Sequence, residues 1–260
     1  MAYTDILYDE TDGVATITFN RPHRRNAVSL QMMDEIIAAA RAAEADPTIS
    51  AVILTGGQEY FSAGADLNEA REIKGAADGK KYFGAWHHLT TSLEELGRPV
   101  IAAIEGFCMT GGCELALACD LRIAGAGASF AITSARIGPV AGAGGTQRLP
   151  RLVGPANALE MLFSAEPIDA VRAERIGLIN RLVPAGEALA IAKQYAAHYA
   201  TRAPLSLTFA KRAVHRGLQM DLASGLEFES FLVSTIYGTE DKQEGISAFL
   251  EKRPARFKGK

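Results

Sequence analysis

A single carboxylate stands in the run GGCELALAC, Gly111 to Cys119, whose other residues are small or apolar. An acidic residue in the first turn of a helix is favoured by the macrodipole by about 0.3–1 kcal/mol, with no function implied. The residues after Glu114 are apolar on every face, however, so this helix offers no solvated side on which to carry it. Taking an ionised carboxylate out of water costs several kcal/mol and raises its pKa. Those conditions suit a group that takes up and returns a proton near neutral pH. Two glycine-rich turns, Ser62-Ala63-Gly64-Ala65-Asp66 and Met109-Thr110-Gly111-Gly112, follow successive apolar runs. Glycine and alanine let a ligand approach the main chain, and the start of a helix leaves its first N–H groups unpaired. Each turn is therefore a candidate anion cradle. If the two converge, a pair of N–H donors can hold one developing negative oxygen, each donor worth about 10²–10³ in rate. Gly111 and Glu114 are three residues apart, hence on one helix face, so the amide and the carboxylate can address the same small molecule.

Other chemistry-bearing residues carry less. The cluster Gly142-Ala143-Gly144-Gly145-Thr146-Gln147 superficially resembles a dinucleotide fingerprint, but it does not follow a strand of a Rossmann unit and reads better as a tight turn that starts a helix. His87 and His88 adjoin Trp86 on a predicted helix without an obvious Asp or Cys partner, and read as pocket wall or exposed face. Cys108, Cys113 and Cys119 are odd in number and lack both C-x-x-C pairing and nearby His ligands, which speaks against disulfides and zinc. They read as buried thiols, and no metal site is expected.

The elements that must position these residues follow from periodicity. GVATITFN, 13–20, alternates as a strand up to the break at Asn20-Arg21-Pro22. Ser29 is an N-cap for a helix on which Leu30, Met33, Ile36, Ile37 and Ala40 recur, ending at Asp46-Pro47. AVILT, 51–55, and PVIAAI, 99–104, are continuous apolar runs of buried strands. A helix is expected over 79–96, short strands at LRIAG and SFAI, and further helices after Thr146. Strand, glycine-rich turn and helix thus return along the first ~200 residues, without a true short repeat, and the class is α/β. From about Gly186 the pattern is helix upon helix, with Leu205, Leu207, Phe209, Leu226, Phe228, Phe231, Leu232 and Phe249 supplying either an ordinary core face or a docking face. The expected division is a core over 1–200 and a helical region over 201–260.

With 260 residues and 48% hydrophobic composition, the chain can bury a substantial core without staples. A net charge of -3 gives no footprint for nucleic acid or an anionic membrane surface. The start MAYTDILYDE lacks the regions of a signal peptide and no run approaches the ~20 apolar residues of a span, so the expectation is a soluble cytoplasmic protein.

At these residues the chain resembles the crotonase superfamily, the enoyl-CoA hydratase/isomerase family. The matching motifs are NRPHRRNA (20–27), FSAGADLNE (61–69), PVIAAIEGFCMTGGCELALACDLRIA (99–124), GAGGTQRLPRLVG (142–154) and SAFLEKRPARFK (247–258). They occur in the family's order across nearly the whole chain. The resemblance implies a crotonase-like spiral of ββα units with a C-terminal helical trimerisation region, assembled as a homotrimer or a hexamer of two trimers. It implies acyl-CoA thioester substrates and no cofactor, coenzyme A being part of the substrate. It puts the oxyanion-hole N–H groups on Ala65 and Gly111. Ala63 and the segment Ala65-Asp66-Leu67-Asn68 would line the adenine and pantetheine path. Arg24 and Arg25 would be phosphate contacts, or else simply solvated loop charges. Phe249 and Lys252 match residues that reach the CoA nucleotide, often from a neighbouring subunit.

By the same resemblance Glu114 is the first of two glutamates that manage water or a proton. The second would lie 20 residues on, where the chain has Ser134. Serine cannot serve as a general acid near neutral pH as a tuned carboxyl can, but it can hydrogen-bond a water. Asn68 stands where a lysine often meets CoA phosphate, which shifts that duty to Arg24, Arg25 and Lys252. The leading expectation is hydration of a 2-enoyl-CoA. One carboxylate suffices for the alternative, isomerisation of a 3-enoyl-CoA, and a further alternative is a non-catalytic acyl-CoA binding protein. A hydrolase using Ser134 as nucleophile lacks a G-x-S-x-G setting. Trp86, Phe83, Met109, Ile137 and Val140 are candidates for an apolar acyl wall, or for plain core.

Overall fold

The structure, a computed structural model, describes residues 3–260. Ile6–Thr11 (β1) and Val14–Phe19 (β2) pair antiparallel across Asp12-Gly13, with Ile6 opposite Phe19 and Thr11 opposite Val14. Both loop residues have positive φ, the conformation that a two-residue hairpin demands. The first helix, α1 (Leu30–Ala45), is capped as its sequence predicts: the Met32 N–H donates to Ser29 Oγ at 3.1 Å, and Asp46 lies just past the end.

From there the chain repeats one move three times. A buried strand, Ala51–Thr55 (β3), is followed by a short one, Tyr60–Ser62 (β4), and then by Leu67–Arg71 (α2) and Ala76–Glu95 (α3). Next come Val100–Ile104 (β5), Phe107–Met109 (β6) and Gly111–Leu117 (α4). The third round is Leu121–Gly125 (β7), Ser129–Ala131 (β8) and, after a loop, Gly145–Ser164 (α5), which kinks at Gly154. Ile168–Asp169 (β9), Ala170–Arg175 (α6), Arg181–Val183 (β10) and Ala188–Ala200 (α7) follow. The first strand of each round joins a six-stranded sheet, β1-β2-β3-β5-β7-β10, and the second joins a four-stranded sheet, β4-β6-β8-β9. Within each sheet the repeating strands run parallel. This is the expected α/β spiral of ββα units. The short strands β4 and β6 fall where the sequence suggested only loop.

Period-two alternation explains why AVILT and VIAAI are apolar throughout. Val52, Leu54, Val100, Ala102 and Ile104 face the main core with α1 and α3. Ala51, Ile53, Ile101 and Ala103 face the other way, under Ala188, Ala192 and Ala196 of α7. Alanines four residues apart give that helix a flat face against the sheet.

The helical C-terminal region comprises Pro204–Gly217 (α8), Leu222–Tyr237 (α9) and Glu240–Leu250 (α10). It is tied to the core through α8: Lys211 Nζ donates to the Leu93 and Arg98 carbonyls and pairs with Asp120 at 2.8 Å. Among the described residues, no helix is long and apolar enough to cross a membrane.

Candidate active site

Helix α4 buries every one of its residues, Glu114 among them at 2% exposure. One carboxylate oxygen, Oε1, accepts from the Ala143 N–H at 2.8 Å and the Gly145 N–H at 2.7 Å. Oε2 accepts no hydrogen bond among the described residues, and it is not among the sealed, unpaired polar atoms of the interior. Its free edge therefore meets accessible space. Burial pushes the Glu114 pKa up to about 7, against the two amide bonds and the charge of Arg148, which favour the ionised form. A carboxyl anchored on one side, open on the other and half-ionised near neutrality is suited to taking and returning a proton.

The loop before α2 is pinned from beneath. Ala63 N–H donates to the Arg25 carbonyl at 3.0 Å, Val28 N–H to Gly64 O at 2.7 Å and Asp66 N–H to Val28 O at 3.0 Å. Ser62 Oγ, fully buried, donates to Asn26 O and accepts from Gly64 N–H. The Ala65 N–H lies between these bonds and takes no acceptor among the described residues; the Gly111 N–H at the start of α4 takes none either. The two amides are neighbours. A methyl group on Gly111 would come within 3.1 Å of Ala65 N and 2.7 Å of the Trp86 ring. Gly64, at φ 107°, lies against Thr110 and Gly111 N, with no room for a side chain. The sequence left the meeting of these two turns as a condition, and the structure places them side by side.

Of the residues assigned to coenzyme A, Arg24, Arg25, Ala63, Ala65, Asp66, Leu67 and Asn68 share one edge of the molecule, because the Arg21–Val28 loop and the Ala63–Asp66 loop are bonded together. The Arg24 and Arg25 side chains are exposed, as are Leu67 and Asn68. The Asp66 side chain is committed to structure: it pairs with Arg21 at 2.9 Å and caps α2 through Asn68 N–H. Burial opposes its ionisation, but Arg21 and the Asn68 amide hold its carboxyl below the ordinary value. Phe249, 83% exposed, lies on α10, which packs against α9, and Lys252 lies in the turn just past the end of that helix. Among the described residues no hydrogen bond joins them to the Ala65 and Gly111 loops.

Ser134 opens a one-turn 3-10 helix, Ser134–Arg136, and is buried. It lines a cavity of about 580 Å³ whose other walls, including Ala141, Val140, Leu159 and Phe163, carry no charge. Trp86 packs on Gly111 and Phe83 on Gly142, whereas Ile137 is exposed. The thiols of Cys108 and Cys119 are buried and pushed upward, the latter to about 12, by desolvation, which leaves them unreactive. Among the described residues no cluster of three His, Cys, Asp or Glu could hold a metal ion.

Sequence reasoning missed the frame behind Glu114. Arg148 pairs with Glu94 at 2.6 Å and reaches the Ala143 carbonyl, while His87 Nε2 bonds the Gly142 carbonyl at 2.9 Å. Both brace the turn whose amides hold the carboxylate. Arg122, buried without a carboxylate partner, donates to Cys119 O, Ala116 O and Leu178 O, closing the far end of α4. A charged residue inside a strand was the available signal, since such a group survives burial only when its donors are satisfied.

The family model described as enoyl-CoA hydratase/isomerase matches residues 9–260. The chain is 39% identical over 254 residues to the short-chain-enoyl-CoA hydratase of Clostridium acetobutylicum, with 97% of each covered. To the crotonyl-CoA hydratase of Syntrophomonas wolfei it is 37% identical over 258 residues, with 99% of each covered. Among solved structures, an enoyl-CoA hydratase from Bacillus anthracis matches with a TM-score of 0.94 at 36% identity, covering 99% of this chain and 100% of that one. The chain belongs to the enoyl-CoA hydratase/isomerase family.

Proposed function

We propose that the protein adds water across the double bond of a 2-enoyl-CoA thioester. The observation that carries this reading is Glu114, held at Oε1 by two amides and free at Oε2, beside the unpaired Ala65 and Gly111 N–H groups. The thioester oxygen would accept from those two amides, which stabilise the charge of the enolate more than the carbonyl of the bound substrate. Glu114 takes a proton from water as the oxygen of that water bonds to C3, and the electron pair of the double bond moves to the enolate. The same carboxyl then returns the proton to C2, so H and OH are both accounted for. Ser134 would hold the water by its hydroxyl. Arg24, Arg25 and, from α10, Phe249 and Lys252 would receive the nucleotide of coenzyme A. No added cofactor enters these steps.

Ser134 in place of a second carboxyl favours one other reading, isomerisation of a 3-enoyl-CoA, in which Glu114 alone carries a proton between C4 and C2. Incubation with 2-enoyl and 3-enoyl thioesters in water labelled with ¹⁸O and deuterium decides between them. Hydration puts ¹⁸O into the product, whereas isomerisation leaves oxygen unlabelled and moves the double bond. No product from either, with tight binding of both, would mean an acyl-CoA binding protein.

We also propose self-assembly through the C-terminal helices, into a trimer or a hexamer of two trimers, in the cytoplasm. Leu222, Leu226 and Phe231 of α9 and Phe249 of α10 are each exposed, and large apolar side chains left in water on one region are what a contact with further copies of the chain would cover. The expected result by light scattering is about three or six times the chain mass of 27.7 kDa; a monomer at micromolar concentration would refute it.

A further inference from the structure

Thr110, the residue before the Gly111 amide, sits at φ 46° and ψ -115°. That is the first central position of a type II′ turn, where glycine belongs, and a β-branched side chain there is a genuine outlier. Such conformations persist only where the surroundings over-determine them, and they concentrate at functional sites. Thr110 is over-determined. Its N–H donates to the Ala131 carbonyl at 2.7 Å and its carbonyl accepts from Glu114 N–H at 2.9 Å. Its hydroxyl shares a hydrogen bond of 2.7 Å with the Thr133 hydroxyl and also accepts from Thr133 N–H at 3.1 Å. On its other side, Cβ lies where a side chain on Gly64 would have to go.

We propose that the paired hydroxyls of Thr110 and Thr133 form a clasp that aims the Gly111 N–H at the substrate's carbonyl oxygen. The plane of the peptide between Thr110 and Gly111 is set by ψ of Thr110 and φ of Gly111. Relaxation of Thr110 to an ordinary region rotates this plane and turns the N–H away from its neighbour on Ala65. Main-chain bonds hold the ends of the residue, and the clasp holds the Cα between them. Thr133 also adjoins Ser134, so the clasp ties the Gly111 amide to the turn that carries the proposed water holder. Both threonines are positioning residues, since each acts through the Thr110–Gly111 peptide and their hydroxyls are paired with each other at 2.7 Å. The inference rests on the proposed use of the Ala65 and Gly111 amides.

The test uses Thr133→Val, Thr110→Gly and Thr133→Ser in the full-length protein. Two readouts are taken: steady-state kinetics with crotonyl-CoA, and the carbonyl stretch of bound butyryl-CoA, which cannot be hydrated. Thr110→Gly relieves the backbone and is expected to fold with an unchanged or higher Tm. Glycine accepts these dihedrals but equally many others, so without the clasp Thr110→Gly and Thr133→Val should each lower kcat about 10- to 100-fold, the scale of a misaimed donor, with KM within about twofold. Both should lose at least half of the lowering of the carbonyl frequency that the wild type imposes, and Thr133→Ser should restore it. If both variants keep the wild-type frequency and kcat, the clasp is purely structural and the proposal fails while the hydratase reading stands. If the wild type itself imposes no lowering, the amides do not grip the carbonyl, and both fall.

Discussion

Glu114→Gln is expected to lower kcat for a short 2-enoyl-CoA by about 10²–10⁴-fold, the usual range for a lost general acid–base, while butyryl-CoA binds within about twofold of the wild type. Glutamine keeps the shape, and its carbonyl oxygen can still accept from the Ala143 and Gly145 amides that hold Oε1. What it loses is a site for a proton. The wild-type profile should rise through pH about 7, where burial puts the Glu114 carboxyl, because the ionised form is the one that takes a proton from water. That limb should vanish in the variant. Retention of wild-type kcat in Glu114→Gln would remove Glu114 from the chemistry.

The same carboxyl leaves a signature in stability. Its folded pKa lies above the unfolded value, so the native state holds the proton more tightly, and stability falls as pH rises from about 4.5 through about 7. The loss is on the order of 3 kcal/mol for a shift of this size. Glu114→Gln removes the titration. Its urea midpoint should therefore exceed that of the wild type at pH 8, and the difference should shrink at pH 5. A protein that gives up stability in order to keep an acid half-ionised inside its core is one in which that acid is used.

The features that the sequence disclosed were those written in local pattern. The Ser29 cap, the apolar strands AVILT and VIAAI, and the apolar surround of Glu114 each follow from spacing within a few residues, and each appears as read. The convergence of the Ala65 and Gly111 loops was legible only as a condition, because it depends on β4 and β6, strands of three residues that are too short to show a period. β1 escaped notice for a different reason: it is an edge strand with Ile6 as its one buried residue, so its alternation is faint. The Gly142–Gln147 turn was read correctly as the start of a helix. Its grip on Glu114 joins residues 29 and 31 positions apart, a contact that no local spacing announces. Family resemblance supplied roles for Phe249 and Lys252, which no spacing in the sequence announces; among the described residues no hydrogen bond joins either to the turn that holds Glu114.

Gly111→Ala is expected to lower kcat/KM by about 10²–10³-fold, the loss of one oxyanion donor, even though alanine is the better helix former. The added methyl would stand 2.7 Å from Trp86 Cη2, 3.0 Å from Cζ2 and 3.1 Å from Ala65 N. The first of these contacts is too close to survive, and Trp86, at 1% exposure, has no space into which to turn. The start of α4 must therefore move away from the Ala63–Asp66 loop, which parts the two amides while Glu114 stays bonded to Ala143 and Gly145. The variant should accordingly keep the pH limb near 7 that Glu114→Gln loses, so each substitution removes a different half of the site. Trp86→Phe takes away the ring atoms that the methyl meets. Alone it leaves a cavity and destabilises, but combined with Gly111→Ala it should restore at least tenfold of the lost kcat/KM, a coupling that independent sites would not show. Additive losses in the double variant would mean that the steric contact with Trp86 does not set the position of the Gly111 amide.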